Sequence, residues 1–222
     1  MRVLVAGIDE AGKGCVIGPL VVAGVMIKEE KLSDFIQLGV KDSKLLSAKK
    51  RETIAADISR LAEKCMTLKL LPEEIDRAVE SRRKLHKLNR LEAKAMAKII
   101  EKLKPDLTYV DAADVLEERF RQHIQEELPF KTKIIAEHKA DKKYSVVSAA
   151  SIIAKVERDR EIAMLTNKHG DFGTGYLADP RTMRFLKQWL KAHDGYPDCV
   201  RKSWKPAKKI KNEFGTVQKK LA

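Results

Sequence analysis

The sequence predicts an α/β fold around a five-stranded sheet. Short apolar runs of strand length alternate with longer stretches of helical periodicity. Two of the runs end on carboxylates followed by turn residues. A chain of 222 residues, 44% hydrophobic and 5% aromatic, also has the length and composition of an α/β protein with a sizeable core.

The first run (Val3, Leu4, Val5, Ala6, Ile8) stops at Asp9 and Glu10, and a turn follows at Gly12, Lys13 and Gly14. An apolar run bounded by turn residues suits a strand covered on both faces. Carboxylates at its end are costly against low-dielectric packing unless something positive offsets them, and a divalent metal does so. Glycines beside them bring backbone N–H groups close to a ligand, because no Cβ intervenes. The plain alternative is that Asp9 and Glu10 begin a surface turn. A phosphate loop is a poor reading. Gly7, Gly12 and Lys13 match most of GxxxxGK[ST], but Gly14 replaces the magnesium-holding hydroxyl, and Asp9 and Glu10 would repel the phosphates.

Ile17 to Ile27 is a second apolar run, expected to pair antiparallel with the first. Lys41, Asp42, Ser43 and Lys44 crowd bases, an acid and a hydroxyl into one loop, suited to a phosphate contact or simply solvated. Ser47 should cap the next helix, in which Ile54, Ile58 and Leu61 have helical spacing. Cys65 to Leu71 is a third strand, and Pro72 opens a helix as proline does at a first helical position. A helix from about Asn89 to Leu103 carries Leu91, Ala95, Ile99 and Leu103 on one face and a Lys/Glu face expected in solvent, and Pro105 ends it.

Leu107 to Val110 is a fourth strand, and it too ends on an acid, Asp111. Ligand sites in open α/β sheets gather beyond strand ends, so two strands ending in carboxylates favour a metal site. Asp114 stands where the following helix needs its N-cap and is left out of that site. Lys131 to Ala136 is a fifth strand. Asp141, before the long helix from Val146 to about Lys168, reads either as a site acid or as an ordinary helix-start acid. His138 reads either as a ligand or, as a lone histidine more often is, as structural. Ser148, Ala149, Ala150, Ser151 and Ala154 let that helix approach another element closely. The glycine-rich turn from Gly170 to Pro180 carries Tyr176, which is either a stacking platform for a sugar or base or a core tyrosine.

Net charge is +13, from 45 Lys and Arg against 32 Asp and Glu, which suits a polyanionic partner or a heat-adapted surface. From Arg201 to Ala222 eight Lys or Arg stand against one Glu, a candidate nucleic-acid clamp. Cys15, Cys65 and Cys199 form no CxxC pair, which disfavours a disulfide framework or zinc site, and Cys15 reads as a small buried filler. With no signal-peptide pattern and no membrane-length apolar stretch, a cytoplasmic location is expected.

Taken together, GIDEAGKG (7–14), VIGPLVVAGV (16–25), KDSKLL (41–46), DAAD (111–114), HKADKKY (138–144), SAASIIAKVERD (148–159), GTGY (173–176) and DPRT (179–182) resemble the type 2 ribonuclease H family, archaeal ribonuclease HII, along nearly the whole chain. The resemblance implies a ribonuclease H-like mixed five-stranded sheet flanked by helices, forming a catalytic domain over residues 1–179, with a small basic helical portion over residues 180–222. It implies an endonuclease acting on RNA–DNA hybrids and on single ribonucleotides in duplex DNA, working as a monomer with Mg2+ or Mn2+, two ions with substrate. Asp9, Glu10, Asp111 and Asp141 match the family's catalytic, metal-binding acids. Gly12, Lys13 and Gly14 match the turn that reads the ribose 2′-OH, and Tyr176 matches the tyrosine at the RNA-to-DNA junction. Asp9 and Glu10 can share metals only if the strand breaks at Glu10, since neighbouring strand residues face opposite ways. Many relatives have arginine at Lys13 and proline at Cys15, so weaker phosphate holding and a looser turn are expected. Gln218 and Leu221 are only a fragment of a clamp-binding tail, so sliding-clamp binding is not expected.

Overall fold

The structure, a computed structural model, describes residues 3–40, 46–82, 85 and 87–221, with side chains through residue 213. Lys41, Asp42, Ser43 and Lys44 therefore lie outside the described residues. In chain order the strands are β1 (Leu4–Ala11), β2 (Leu20–Lys28), β3 (Lys64–Leu70), β4 (Leu107–Asp111) and β5 (Lys133–Glu137). The helices are α1 (Leu32–Gln37), α2 (Ala48–Leu61), α3 (Pro72–Glu80), α4 (Lys87–Leu103), α5 (Glu117–Glu127), α6 (Ala140–Lys143), α7 (Ser145–His169), α8 (Pro180–Ala192) and α9 (Lys205–Leu221). Sheet order is β3-β2-β1-β4-β5. The β1–β2 pair is the antiparallel hairpin the sequence predicts, while β4 lies parallel to both β1 and β5, so the sheet is mixed. Among the described residues no helix is long and apolar enough to cross a membrane.

Local signals set several boundaries as read. Ser47 Oγ accepts from Lys50 N at 3.2 Å, and Pro72 stands at the start of α3. The second apolar run is divided, however: only its part from Leu20 joins the sheet, and Ile17 instead bridges Val200. The polar face of α4 is not wholly solvated either, because Glu92 is fully buried there.

The chain forms two compact units. The first comprises Met1–Ala11, Val21–Lys69 and Leu85–Glu157, and holds the sheet. On one sheet face Val5, Val25 and Ile27 pack with Phe35, Ile54 and Ile58 and with the start of α7. On the other, Gly24 leaves room for Ile99 and Leu103 of α4. The second unit comprises Gly12–Leu20, Leu70–Lys84 and Arg158–Ala222, around a core of Val16, Ile17, Phe172, Leu186, Leu190, Val200, Ala207 and Ile210.

The approach of α7 to β1 is closer than small side chains alone would give. A Cβ on Gly7 would lie 2.3 Å from the carbonyl carbon of Val146. Backbone cannot yield as a flexible side chain can, so Gly7→Ala is expected to cost about 3 kcal/mol or more, read as a lowered denaturant midpoint.

Candidate active site

The carboxylates are gathered by strand register. In the parallel β1–β4 pair Ile8 stands opposite Val110, so Asp9 and Asp111 are the next residues along adjacent strands. Alternation puts Asp9 on the face of Val5 and Gly7, and Asp111 on that of Leu107 and Tyr109, the face that α7 covers. Asp9 is 5% exposed, and burial, then the charge of Asp111, pushes its carboxyl up to about 7. A Ser151 hydrogen bond, the Glu10 N–H and the charge of Lys155 oppose that rise.

Asp141 arrives by a different route. Lys139, at φ 57°, turns the chain after β5, so that the Ala140 N–H donates to Asp111 Oδ1 at 2.9 Å. Asp141 follows at once, buried, with its carbonyl accepting from Ser148 Oγ. Asp111 and Asp141 are thus tied through Ala140.

The condition set for Glu10 is not met along the strand itself. The strand does not break there: the ladder continues through Glu10 and Ala11, opposite Val22 and Val21. Two further rungs to β2 outweigh the turn tendency of Gly12, and alternation places Glu10 on the face of Ile8, away from Asp9. Among the described residues, no group of three or more His, Cys, Asp or Glu converges as a metal cluster. The Asp9–Asp111 pair nevertheless suits a hard divalent cation: both donors are carboxylate oxygens, one is almost fully desolvated, and their charges repel.

The glycine turn belongs to the second unit. Gly12 has φ 87°, a conformation that disfavours side chains, and Gly14 is exposed. Arg201 holds the turn. Its fully buried guanidinium donates to the carbonyls of Gly12 at 2.7 Å, Lys13 at 2.8 Å and Gly18 at 3.1 Å, and lies 5.1 Å from the Trp204 ring centre. Asp76 fixes the Arg201 loop in turn, accepting from Lys202 N, Ser203 N and Ser203 Oγ. Cys15 is the buried filler expected, and its thiol donates weakly to Gly12 O at 3.0 Å.

Tyr176 lies in the same unit, half-buried, with the Arg158 guanidinium 4.7 Å from its ring centre. Arg158 also donates to Thr174 O at 2.6 Å. Gly175 O accepts from Val16 N and Ile17 N, which ties the tyrosine loop to the glycine turn. The DPRT stretch supports that loop: Asp179 accepts from Thr174 N and Arg181 N, and Thr182 Oγ1 accepts from Gly175 N.

One peripheral expectation needs adjusting. Asp114 does not cap α5, which begins at Glu117 with no side-chain cap; its buried carboxylate pairs with Arg119 and accepts from Leu116 N, and the Arg119 guanidinium holds it well below the usual carboxylate range. His138 is exposed, its ring 3.2 Å from Val115 O, in keeping with a structural role.

The family model for ribonuclease HII matches residues 6–207. Ribonuclease HII of Thermococcus sibiricus is 50% identical over 94% of this chain and 91% of its own length. The chain belongs to the ribonuclease HII family. The ribonuclease HII of Pyrococcus abyssi is 44% identical over 96% of this chain and 94% of its own. The crystal structure of ribonuclease H2 from Pyrococcus horikoshii OT3 superposes with a TM-score of 0.87 at 43% identity, covering 96% of this chain and 99% of that one. Ribonuclease HII of Archaeoglobus fulgidus, solved as a complex with PCNA, gives a TM-score of 0.83 at 47% identity, covering 91% of this chain and 96% of that one. As a ribonuclease HII, the chain is a hydrolase of the ribonuclease H class, an endonuclease that degrades the RNA of RNA–DNA hybrids, and its family uses divalent metal ions.

Proposed function

We propose that this ribonuclease HII also incises duplex DNA on the 5′ side of single embedded ribonucleotides, leaving 3′-OH and 5′-phosphate ends. The observation that supports it best is the Asp9–Asp111 pair, two carboxylates on adjacent parallel strands just past their paired stretch, with Asp9 buried and its carboxyl raised to about 7. In this reading Asp9, Glu10, Asp111 and Asp141 hold Mg2+ or Mn2+. Two ions, when bound, supply an activated water and stabilise the leaving 3′-oxygen. Asp9 and Asp111 enter on geometry and Asp141 through its tie to Asp111. Glu10 enters on its motif position, and its side chain must turn past the strand end to join them.

Selection of RNA is assigned to Gly12, Lys13 and Gly14. Arg201 donates to the carbonyls of Gly12 and Lys13 and so fixes the form of the turn; a backbone donor aimed from it at a ribose 2′-OH would go unpaired over deoxyribose. Tyr176, with Arg158 beside its ring, is assigned to the deoxyribose that follows. The role proposed is removal of primers and stray ribonucleotides in DNA replication and repair. The PCNA complex of the A. fulgidus relative counts against our expectation that the tail does not engage a sliding clamp, and the side chains of Gln218 and Leu221 lie outside the described ones.

The test is cleavage of a DNA duplex carrying one ribonucleotide, with Mg2+ and then Mn2+, beside an all-DNA control. A single cut 5′ to the ribonucleotide is expected, lost in Tyr176→Ala while long hybrids are still cut. Cutting of long hybrids alone by the unchanged protein would remove the junction role of Tyr176.

The basic portion over residues 180–222 is proposed to contact substrate. Deleting from Arg201 is not a clean test, because it removes the buried guanidinium and the core residues Ala207 and Ile210. Lys205, Lys209 and Lys211 are exposed, and changing all three to Gln should weaken hybrid binding and lower the log–log salt slope by roughly 2 to 3. An unchanged slope would discard the contact.

A further inference from the structure

The carboxylate of Asp9 is fixed by two donors from different elements. The Glu10 N–H donates to Oδ1 at 2.7 Å, and the Ser151 hydroxyl of α7 gives a side-chain hydrogen bond. Ser151 is 2% exposed. One helical turn later, Lys155 donates its Nζ to Ser151 Oγ at 2.8 Å. A hydroxyl has one proton to give, so an oxygen that accepts from an ammonium has that proton directed to Asp9. The height of the donor pair along β1 is set by the backbone contact of Gly7 with Val146, on the same helix. Nothing in the expected acid set accounts for this chain of two residues.

We propose that Ser151 and Lys155 are positioning residues for the metal. Their relay selects one rotamer of Asp9 and leaves its remaining lone pairs for a divalent ion shared with Asp111. Neither residue touches substrate or ion. Partners of this kind orient metal-binding carboxylates, and their loss typically weakens metal affinity 10- to 100-fold. The inference rests on reading Asp9 as a metal ligand.

The test is Mn2+ binding by calorimetry, with hybrid cleavage at saturating Mn2+ and a thermal melt for each variant. Ser151→Ala is expected to weaken Mn2+ binding about 10-fold and to lower kcat, with KM for the hybrid unchanged. Lys155→Gln and Lys155→Met remove the same charge, but only Gln keeps a donor for Ser151 Oγ, so Gln should bind Mn2+ about fivefold more tightly than Met. Equal affinities for those two, or Ser151→Ala within twofold of the unchanged protein, would overturn the relay. If Ser151→Ala does not fold, the Gln and Met pair decides alone. Asp9→Asn is measured alongside: retained Mn2+ binding and cleavage there overturn the reading of Asp9 itself, whereas their loss with an unaffected Ser151→Ala overturns only the relay.

Discussion

Asp9→Asn is expected to lower hybrid cleavage by about three orders of magnitude or more, while hybrid affinity stays within a few-fold. The amide matches the carboxylate in shape but brings no negative charge to hold a cation. The same substitution should stabilise the metal-free protein. The Asp9 carboxyl titrates at about 7 when folded and near 3.8 when unfolded, so between those values the folded state binds more protons. Stability therefore falls as pH rises through that window, and above about 7 the full cost of a buried, repelled carboxylate is present. That cost is at most about 4 kcal/mol. At pH 8 without divalent ions Asp9→Asn should melt several degrees above the unchanged protein, and below pH 4 the difference should vanish. Mg2+ or Mn2+ should raise the melting temperature of the unchanged protein more than that of the variant. A variant that melts lower at pH 8, or that still cuts, contradicts the account.

Arg201→Met should be the most damaging change in the second unit. It leaves the carbonyls of Gly12, Lys13 and Gly18 without their charged donor and removes the cation beside Trp204. Breaking a buried charged network typically costs about 3 to 5 kcal/mol, roughly 10 °C in melting temperature for a chain of this size. Arg201→Lys should recover little, since one ammonium cannot reproduce a planar fork with several donors. Measured well below the lower melting point, both variants should lose discrimination between ribose and deoxyribose more than they lose cutting of long hybrids. Unaltered discrimination would show that the turn keeps its form without Arg201.

What the sequence revealed was mostly what is local. The β1–β2 hairpin, the Ser47 cap, the Pro72 helix start and the end of β4 at Asp111 each follow from a few neighbouring residues. What it hid depends on partners distant in the chain. Glu10 stays in the ladder because Val22 pairs with it and Val21 with Ala11, which Gly12 beyond them does not foretell. Asp114 looks like a cap until Arg119 is seen to claim it. Arg201 reads as one more cation in a basic tail, although it is buried against carbonyls nearly two hundred residues earlier; an arginine just before Ser203 and Trp204 was the available hint. The relay from Lys155 was legible only as i, i+4 spacing, common on any helix.

The buried thiol of Cys15 gives the second unit a clock of its own. A thiol-specific reagent cannot reach a sulfur that is fully enclosed and bonded to the Gly12 carbonyl. Where modification outpaces reclosing, the rate at which Cys15 is labelled in the native protein counts how often that segment opens, so the lifetime of the closed turn can be timed directly, without substrate.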